Sequence, residues 1–356
     1  MNIIFLGFFG DLVECLHGEY NFLRNCGPYA FYSKYISPLN QHQDEKLHRG
    51  EIQLAHTEHE KNRKYFNFEG GPFVGLKSLL YNLSLEKYIN IYTTNECKKL
   101  EKYDFIYVHW LTDDLAKKLI QFGNNILDNK LIISSHNKIE LINKYFKTIK
   151  YKYWSHSSRV KADYYLQYPI HKTILDQNSI DCINMEREYD ILIYTKLNGH
   201  NKKFKKDLFN NLDKIQKYFS SKNIKTCHLS YIVKGFRRSE LLEYSNNSKL
   251  CLFLSYFDSG GISASEISIM GCYLIGFFDK ETNQEINHSF APTFIVENET
   301  GEYINEFSER YNDKILYTGC DKVINILKTN LDHKNIAKIA REHLTIERFI
   351  ETIFKK

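Results

Sequence analysis

Residues 249–279 read KLCLFLSYFDSGGISASEISIMGCYLIGFFD and contain the pattern that decides the fold. An apolar run at 250–254 leads into a polar loop with two glycines, then into a short helical stretch, and then into a second apolar run at 273–278. Two apolar runs of strand length on either side of a helix indicate a βαβ unit, whose strands lie parallel in one sheet.

The same alternation continues outward in both directions. The predicted strands are 3–8, 89–92, 105–109, 131–135, 191–194, 227–229, 250–254 and 273–278, and the predicted helices include 75–85, 115–127, 204–219 and 240–245. A polar break at 168–188 divides them into two blocks. The pattern predicts an α/β protein with two Rossmann-like, doubly wound domains facing a central cleft, where ligands bind at the carboxyl ends of the strands.

The predicted domain boundaries follow from this break. Residues 1–168 form an N-terminal Rossmann-like domain, with an irregular insertion at about 11–63 that is rich in His, Asn and Gln. Residues 189–335 form a C-terminal Rossmann-like domain. Residues 336–356 are predicted to form a helix that crosses back to the first domain.

Composition excludes several classes of protein. The 356 residues include 48 basic and 43 acidic side chains, for a net charge of +5, which is too balanced for a nucleic-acid-binding protein. The small basic excess suits an anionic small ligand and allows peripheral contact with an acidic membrane. No apolar run approaches the length of a membrane-spanning helix.

The cysteines and the N-terminus indicate the compartment. Eight cysteines are scattered without a C-x-x-C pair, so the spacing matches neither a zinc site nor a disulfide scaffold. A reducing compartment is the simple inference, and we expect a cytoplasmic protein. The first ten residues, MNIIFLGFFG, lack a basic leader and are interpreted as a strand, not as a signal peptide.

The loop and helix of the opening stretch carry the candidate chemistry. Unsatisfied amides at a helix start, together with the positive end of the helix, form a binding site for phosphate. The candidate phosphate-binding positions are Gly261, Ile262, Ser263 and Ala264. Glu266 is then placed to accept hydrogen bonds from ribose hydroxyls, and Asp258 to face a sugar attached to the phosphate. The alternative is ordinary helix capping by acidic residues.

The segment Asp258-SGGISAS-Glu266, followed by Gly271 and an apolar strand, resembles the signature of retaining glycosyltransferases of family four, which have the GT-B fold. Residues 236–254 also resemble the helix and strand that precede that signature. The first acidic residue of the family signature is usually Glu, and Asp258 is one methylene shorter. The resemblance covers the second domain well and the first only loosely.

The resemblance implies further residues that bind the donor. A basic pair after the first strand of the second domain would hold the diphosphate, and Lys196, Lys202 and Lys203 are the cations available there, although their spacing differs from the usual Arg-then-Lys pattern. The alternative for the lysines is a solvated face. Gly70 and Gly71 match in type a Gly-Gly loop near the donor phosphate; the alternative is an ordinary turn.

Two histidines end predicted strands of the first domain. His109 closes YDFIYVHWL and His136 closes KLIISSHN. The resemblance places a histidine from the first of these strands near the donor sugar and the acceptor, so His109 is a candidate catalytic residue with Asp258 and Lys196. His136 is a candidate on the acceptor side. The alternative is a structural histidine at a strand end.

The resemblance implies transfer of a sugar from a nucleoside diphosphate sugar to an acceptor hydroxyl with retention, in glycan or glycoconjugate synthesis. The acceptor is a glycan, a lipid or a protein. No cofactor and no metal ion are expected, because positive groups stabilise the departing diphosphate. Three alternatives remain open: a non-catalytic protein that binds nucleotide sugars, a sugar-nucleotide epimerase, and an inverting transferase.

Overall fold

A computed structural model describes residues 1–6, 71–93, 99–134, 139–156, 162–196, 202–230, 238–255, 262–277 and 295–355. Contacts divide the chain into two compact units. Within the described residues, the first unit comprises 1–6, the described ranges between 71 and 172, and 345–355. The second unit comprises the described ranges between 173 and 344. The irregular segment predicted at about 11–63 lies outside the described residues.

The first unit is built on a six-stranded parallel sheet with the order β2-β1-β3-β4-β5-β6. Its strands are β1 (Asn2–Leu6), β2 (Asn90–Thr93), β3 (Phe105–Val108), β4 (Leu131–Ile133), β5 (Tyr151–Ser155) and β6 (Tyr164–Tyr165). Alternate residues of β1 enter different clusters: Ile3 and Phe5 pack in one, and Ile4 and Leu6 in the other. The sheet is therefore covered on both faces, as its continuous apolar runs predict.

Helices cover those faces. They are α1 (Gly71–Leu85), α2 (Asp113–Ile120), α3 (Asn124–Leu127) and α4 (Ile139–Tyr145), with a 3-10 turn at Leu100–Lys102. The next helix, α5 (Lys172–Gln177), begins at the passage to the second unit, which contains all of its residues after Lys172. The predicted helix 115–127 is two helices, because Gly123 between α2 and α3 has a φ of 71°. That left-handed backbone conformation interrupts the helix and is one that glycine adopts without strain.

The second unit is built on a five-stranded parallel sheet with the order β11-β10-β9-β7-β8. Its strands are β7 (Tyr189–Thr195), β8 (Thr226–Ser230), β9 (Ser248–Leu254), β10 (Tyr273–Gly276) and β11 (Gly301–Tyr303). Its helices are α6 (Lys202–Ser221), α7 (Arg238–Asn246), α8 (Ile262–Ile269), α9 (Asp313–Leu327) and α10 (His333–His343), with 3-10 turns at Ile180–Cys182 and Asn305–Ser308. The quoted stretch thus forms β9, α8 and β10.

The end of the chain forms two helices instead of one continuous helix over 336–356. Helix α10 belongs to the second unit, and α11 (Ile346–Ile353) belongs to the first, where Phe349 and Ile353 pack in the same cluster as Trp154. A helix cap between α10 and α11 marks where the second of them begins. The Thr345 hydroxyl accepts a hydrogen bond from the Arg348 amide at 3.2 Å and so caps the start of α11.

Both sheets reverse their strand order at one point. In the first sheet, β2 and β3 lie on opposite sides of β1, and in the second, β8 and β9 lie on opposite sides of β7. The α/β class and the two Rossmann-like, doubly wound sheets are confirmed. In such sheets ligands bind outside the carboxyl ends of the strands at the reversal, which directs attention to the ends of β1 and β3 and of β7 and β9. None of the described helices is long and apolar enough to span a bilayer.

Candidate functional site

Lys196 lies at the carboxyl end of β7, beside the end of β9. Strand pairing aligns Thr195 with Leu254, and the Lys196 amide continues the ladder by donating to the Leu254 carbonyl at 3.1 Å. Because side chains alternate along an extended strand, Lys196 falls on the same side of the sheet as Tyr194. The lysine side chain is buried, with an exposed fraction of 9%.

Ser255 occupies the matching position on the neighbouring strand. It directly follows β9, and the same alternation puts it on the side of Phe253, whose ring stacks on that of Tyr194 with centroids 4.6 Å apart. Its hydroxyl is buried and makes no hydrogen bond with the residues that the structure describes. Sequence reasoning missed Ser255, because a serine after a strand carries no local signal of a site.

Helix α8 packs over this side of the second sheet. Ala264 and Ile267 lie in one cluster with Tyr194 and Phe253, and the Tyr194 hydroxyl donates to the Ser263 hydroxyl at 3.1 Å. This hydrogen bond joins the first turn of α8 to the end of the strand that carries Lys196. Ser263 and Glu266 are three positions apart and so share one face of the helix.

Glu266 is the most informative side chain of α8. Its exposed fraction is 0%, although it carries a carboxylate. Removing a carboxylate from water is costly unless polar groups compensate for the lost hydration. This buried carboxylate lies on the helix that covers the side of the sheet where Lys196 and Ser255 are buried, and such a polar composition suits a phosphorylated ligand better than an apolar one.

The other residues predicted in the second domain have mixed placements. Ile262 begins α8 half-buried, and Ser263 and Ala264 are buried in its first turn. Lys202 and Lys203 are the first two residues of α6. Asp258 and Gly261 lie outside the described residues, so their roles stay predictions.

His109 lies at the strand reversal of the first sheet. Its amide donates to the Leu6 carbonyl at 2.9 Å, and its carbonyl accepts from the Ser134 hydroxyl at 2.8 Å, which joins the ends of β1, β3 and β4. The side chain is fully buried. Burial, with a smaller contribution from the nearby His156, lowers the pKa of His109 to about 3, so the imidazole is neutral at physiological pH.

The imidazole of His109 is held by a buried aromatic cluster. Its Nδ1 lies 3.3 Å from the Tyr168 hydroxyl, and the Tyr168 ring contacts Trp154 and His156 with centroids 5.1 and 4.9 Å apart. Nδ1 of His156 is 3.1 Å from the Leu166 carbonyl. Since a carbonyl can only accept, that nitrogen carries the proton. Burial lowers the pKa of His156 to about 4.

Gly75 determines how closely helix α1 approaches this cluster. A Cβ at Gly75 would lie 2.1 Å from Cδ2 of the Tyr168 ring, so only glycine permits the contact. The glycine pair predicted near the site was Gly70 and Gly71. Gly71 is the first residue of α1, and Gly70 and His136 lie outside the described residues. Sequence reasoning did not identify Gly75 or Tyr168, which are far apart in the chain.

Replacing Tyr168 with phenylalanine is expected to remove the hydrogen bond at Nδ1 of His109 while retaining the ring against Gly75. The loss of a buried hydrogen bond should lower the free energy of unfolding by about 1–2 kcal/mol and shift the imidazole ¹⁵N resonances of His109. Tyr153→Phe, a buried tyrosine in a different cluster, is the matched control. Unchanged His109 resonances in Tyr168→Phe would show that Tyr168 does not bind the imidazole.

No cluster of three or more His, Cys, Asp or Glu side chains within the described ranges is arranged to hold a metal ion. The candidate polar groups form two sets, one in each unit. In the second unit, Lys196 and Ser255 lie at the strand reversal, and Ser263 and Glu266 lie on the helix α8 that packs over that side of the sheet. In the first unit, His109 lies at the reversal and Tyr168 contacts it.

Comparisons with known proteins give only distant matches. No family model and no curated protein matches the sequence. Among solved structures, a GtfA/B complex is 14% identical with a TM-score of 0.37; it is matched over 67% of this chain, which spans only 59% of that chain's length. HepE of Anabaena in complex with UDP-glucose is 10% identical with a TM-score of 0.42, over 99% of this chain and 98% of that one.

A third match is the trehalose-6-phosphate synthase OtsA, at 10% identity and a TM-score of 0.41, over 79% of this chain and 76% of that one. At such identities and scores we base the function of this chain on its own side chains.

Proposed function

We propose that this protein is a glycosyltransferase of the GT-B type, which moves a sugar from a nucleoside diphosphate sugar to an acceptor hydroxyl. The observation that carries the proposal is the fully buried Glu266, on a helix that packs over the strand reversal where Lys196 is also buried. A nucleoside diphosphate has ribose hydroxyls that can donate to a carboxylate and negative charge that a lysine can offset. Glu266 and Lys196 are the carboxylate and the lysine in this protein.

Each group has a distinct role in the proposed complex. The Glu266 carboxylate accepts hydrogen bonds from the ribose hydroxyls, and the amides of the first turn of α8, at Ser263 and Ala264, donate to the diphosphate. Lys196 offsets the charge that develops on the diphosphate as the bond to the sugar breaks. Asp258 would position the sugar, as the sequence signature implies.

His109 is assigned to the sugar and the acceptor. A neutral imidazole can donate from one nitrogen and accept at the other, so its role in the proposal is to orient hydroxyl groups, since it carries no charge at physiological pH. Gly70 and Gly71 are proposed to approach the donor, and His136 the acceptor. Lys202 and Lys203 are further candidates for the diphosphate.

We further propose how the sugar is transferred, and where in the cell the reaction occurs. The signature at Asp258 and Glu266 and the composition of the chain together imply four properties. These are transfer with retention, catalysis without a metal ion, a role in glycan or glycoconjugate synthesis, and a cytoplasmic location. Chelation separates the metal-free reaction from a metal-dependent one, and the anomeric configuration of the product separates retention from inversion.

The first experiment is a thermal-shift screen against UDP, GDP, ADP and their sugar conjugates, with and without EDTA. A ligand at a hundred times its Kd stabilises the native state by about 2.7 kcal/mol, so one nucleotide is expected to raise the Tm measurably. The shift should be the same in EDTA. No shift with any nucleotide at millimolar concentration would refute the proposal.

A further inference from the structure

The C-terminal end of α8 is held by side chains from distant parts of the second unit. Arg341 donates from Nε and Nη2 to the Ile269 carbonyl at 3.2 and 3.1 Å. Arg187 donates from Nη2 to the Met270 carbonyl at 3.0 Å, and His333 Nδ1 lies 2.8 Å from the Gly271 carbonyl. The last carbonyls of a helix lack partners within it, and cations there interact favourably with the helix dipole.

Arg341 has a second partner that makes it different from an ordinary cap. Its Nη2 also donates to the carbonyl of Asn178, the residue directly after α5. Within the part of the chain that the structure describes, the chain passes from the first unit to the second between Lys172 and Thr173, and it returns between Leu344 and Thr345. Asn178 thus lies just beyond the first crossing, and Arg341, in the last turn of α10, lies just before the second.

One guanidinium therefore joins both crossings to the end of α8. Arg187, between the first crossing and β7, adds hydrogen bonds from Nη1 to the Ser245 and Ser248 carbonyls at 2.7 and 3.3 Å. Both arginines are half-buried, and burial lowers the pKa of each guanidinium. Because burying a charge is costly, two such groups at one helix end constrain the position of that helix more tightly than an exposed cap would.

We infer that Arg341 is a positioning residue that couples the two chain crossings to nucleotide binding at Glu266, through helix α8. This inference rests on the proposed function for the nucleotide itself. An eight-residue helix is about 12 Å long and moves as one body, so a displacement of its C-terminal end is felt by Glu266. Coupling of this kind is reciprocal, and a nucleotide bound at Glu266 must also restrain the crossings.

The test is hydrogen exchange of the full chain, followed by mass spectrometry, for Arg341→Met, Arg341→Lys and the control Arg348→Met. Arg348 is an exposed arginine of α11 and lies just after the crossing between Leu344 and Thr345, as Arg341 lies just before it. Without ligand, Arg341→Met is expected to speed exchange about tenfold in both 262–271 and 174–182. The substitution removes the guanidinium whose hydrogen bonds to Ile269 and Asn178 join these two segments. Arg341→Lys should restore part of the protection, and Arg348→Met should behave as the wild type.

The second arm adds the nucleotide that stabilises the wild type most in the thermal-shift screen. In the wild type it should slow exchange at both crossings, and in Arg341→Met it should still bind but no longer protect them. A variant that loses thermal stability yet keeps this protection would show that Arg341 is only a cap, and would overturn the inference. Unchanged exchange in the first arm overturns it without any ligand, whereas failure of the wild type to bind a nucleotide refutes the proposed function alone.

Discussion

Replacing Glu266 with glutamine is expected to weaken binding of the nucleoside diphosphate sugar by about 1.5–3 kcal/mol, the usual contribution of hydrogen bonds to a charged group. That loss corresponds to a roughly 10- to 150-fold higher Kd. Glutamine retains the shape of the side chain, so the buried helix need not repack. Its amide has one acceptor oxygen in place of two and a donor group where a ribose hydroxyl should donate. Isothermal titration with the nucleotide found in the thermal-shift screen measures the change.

The matched control for Glu266→Gln is Ser268→Ala on the same helix. Ser268 is fully buried, and its hydroxyl makes no hydrogen bond with the residues that the structure describes. Its replacement perturbs α8 to a similar extent without touching the proposed ligand. Wild-type affinity in Glu266→Gln would remove the carboxylate from the site, and equal losses in both variants would indicate a general effect on the helix.

Much of the fold could be predicted from local patterns. The strand 250–254, the helix after it and the strand at 273–278 are β9, α8 and β10, because a continuous apolar run of strand length is buried on both faces of a parallel sheet. Helix α1 was predicted from its apolar spacing, and its buried leucines follow that spacing at positions 76, 79, 80 and 83.

Interruptions of helices were harder to predict. The stretch 115–127 retains a helical pattern across Gly123, yet the backbone there turns through a positive φ and divides it into α2 and α3. The helical pattern also continues past Leu344, although the chain passes there from the second unit to the first and forms two helices. Periodicity reports which residues are apolar, and it does not report which neighbour each segment packs against.

The candidate site was predictable where the signal was local. Glu266, Ser263 and Ala264 follow from the helix start after a glycine-containing loop, and the structure buries all three. The partners of His109 and of the end of α8 are not predictable in this way. Tyr168 is 59 residues from His109, and Arg341 is 72 residues from Ile269. Contacts of such separation are set by the packing of the whole unit.

Gly271→Ala is the substitution that we expect to reduce the stability of the second unit most. Gly271 lies in the turn after α8 and has a φ of 72°, and a Cβ there would lie 2.2 Å from the backbone carbonyl oxygen of His333. A positive φ costs a residue other than glycine about 1 kcal/mol or more, and overpacking against a fixed backbone adds roughly 1–3 kcal/mol. The expected loss in the free energy of unfolding is about 3 kcal/mol or more.

Gly123→Ala is the matched control for the backbone contribution, since Gly123 has a φ of 71°. The nearest atom to a Cβ at Gly123 is a side-chain oxygen of Asn125 at 3.2 Å, which can move aside, so its expected loss is only about 1–2 kcal/mol. The difference between the two variants isolates the contact with His333. Equal losses would show that the backbone conformation alone requires glycine at position 271.

Urea unfolding can separate the two units in this comparison. Both tryptophans of the chain, Trp110 and Trp154, lie in the first unit, so their fluorescence reports that unit, whereas far-ultraviolet circular dichroism reports both. Gly271→Ala should shift the dichroism transition of the second unit to lower urea, and Gly123→Ala should shift the fluorescence transition. His333 and Arg341, both in α10, donate to carbonyls at the end of α8. Gly271→Ala should therefore also raise the Kd for the nucleotide, because the clash displaces the helix that carries Glu266.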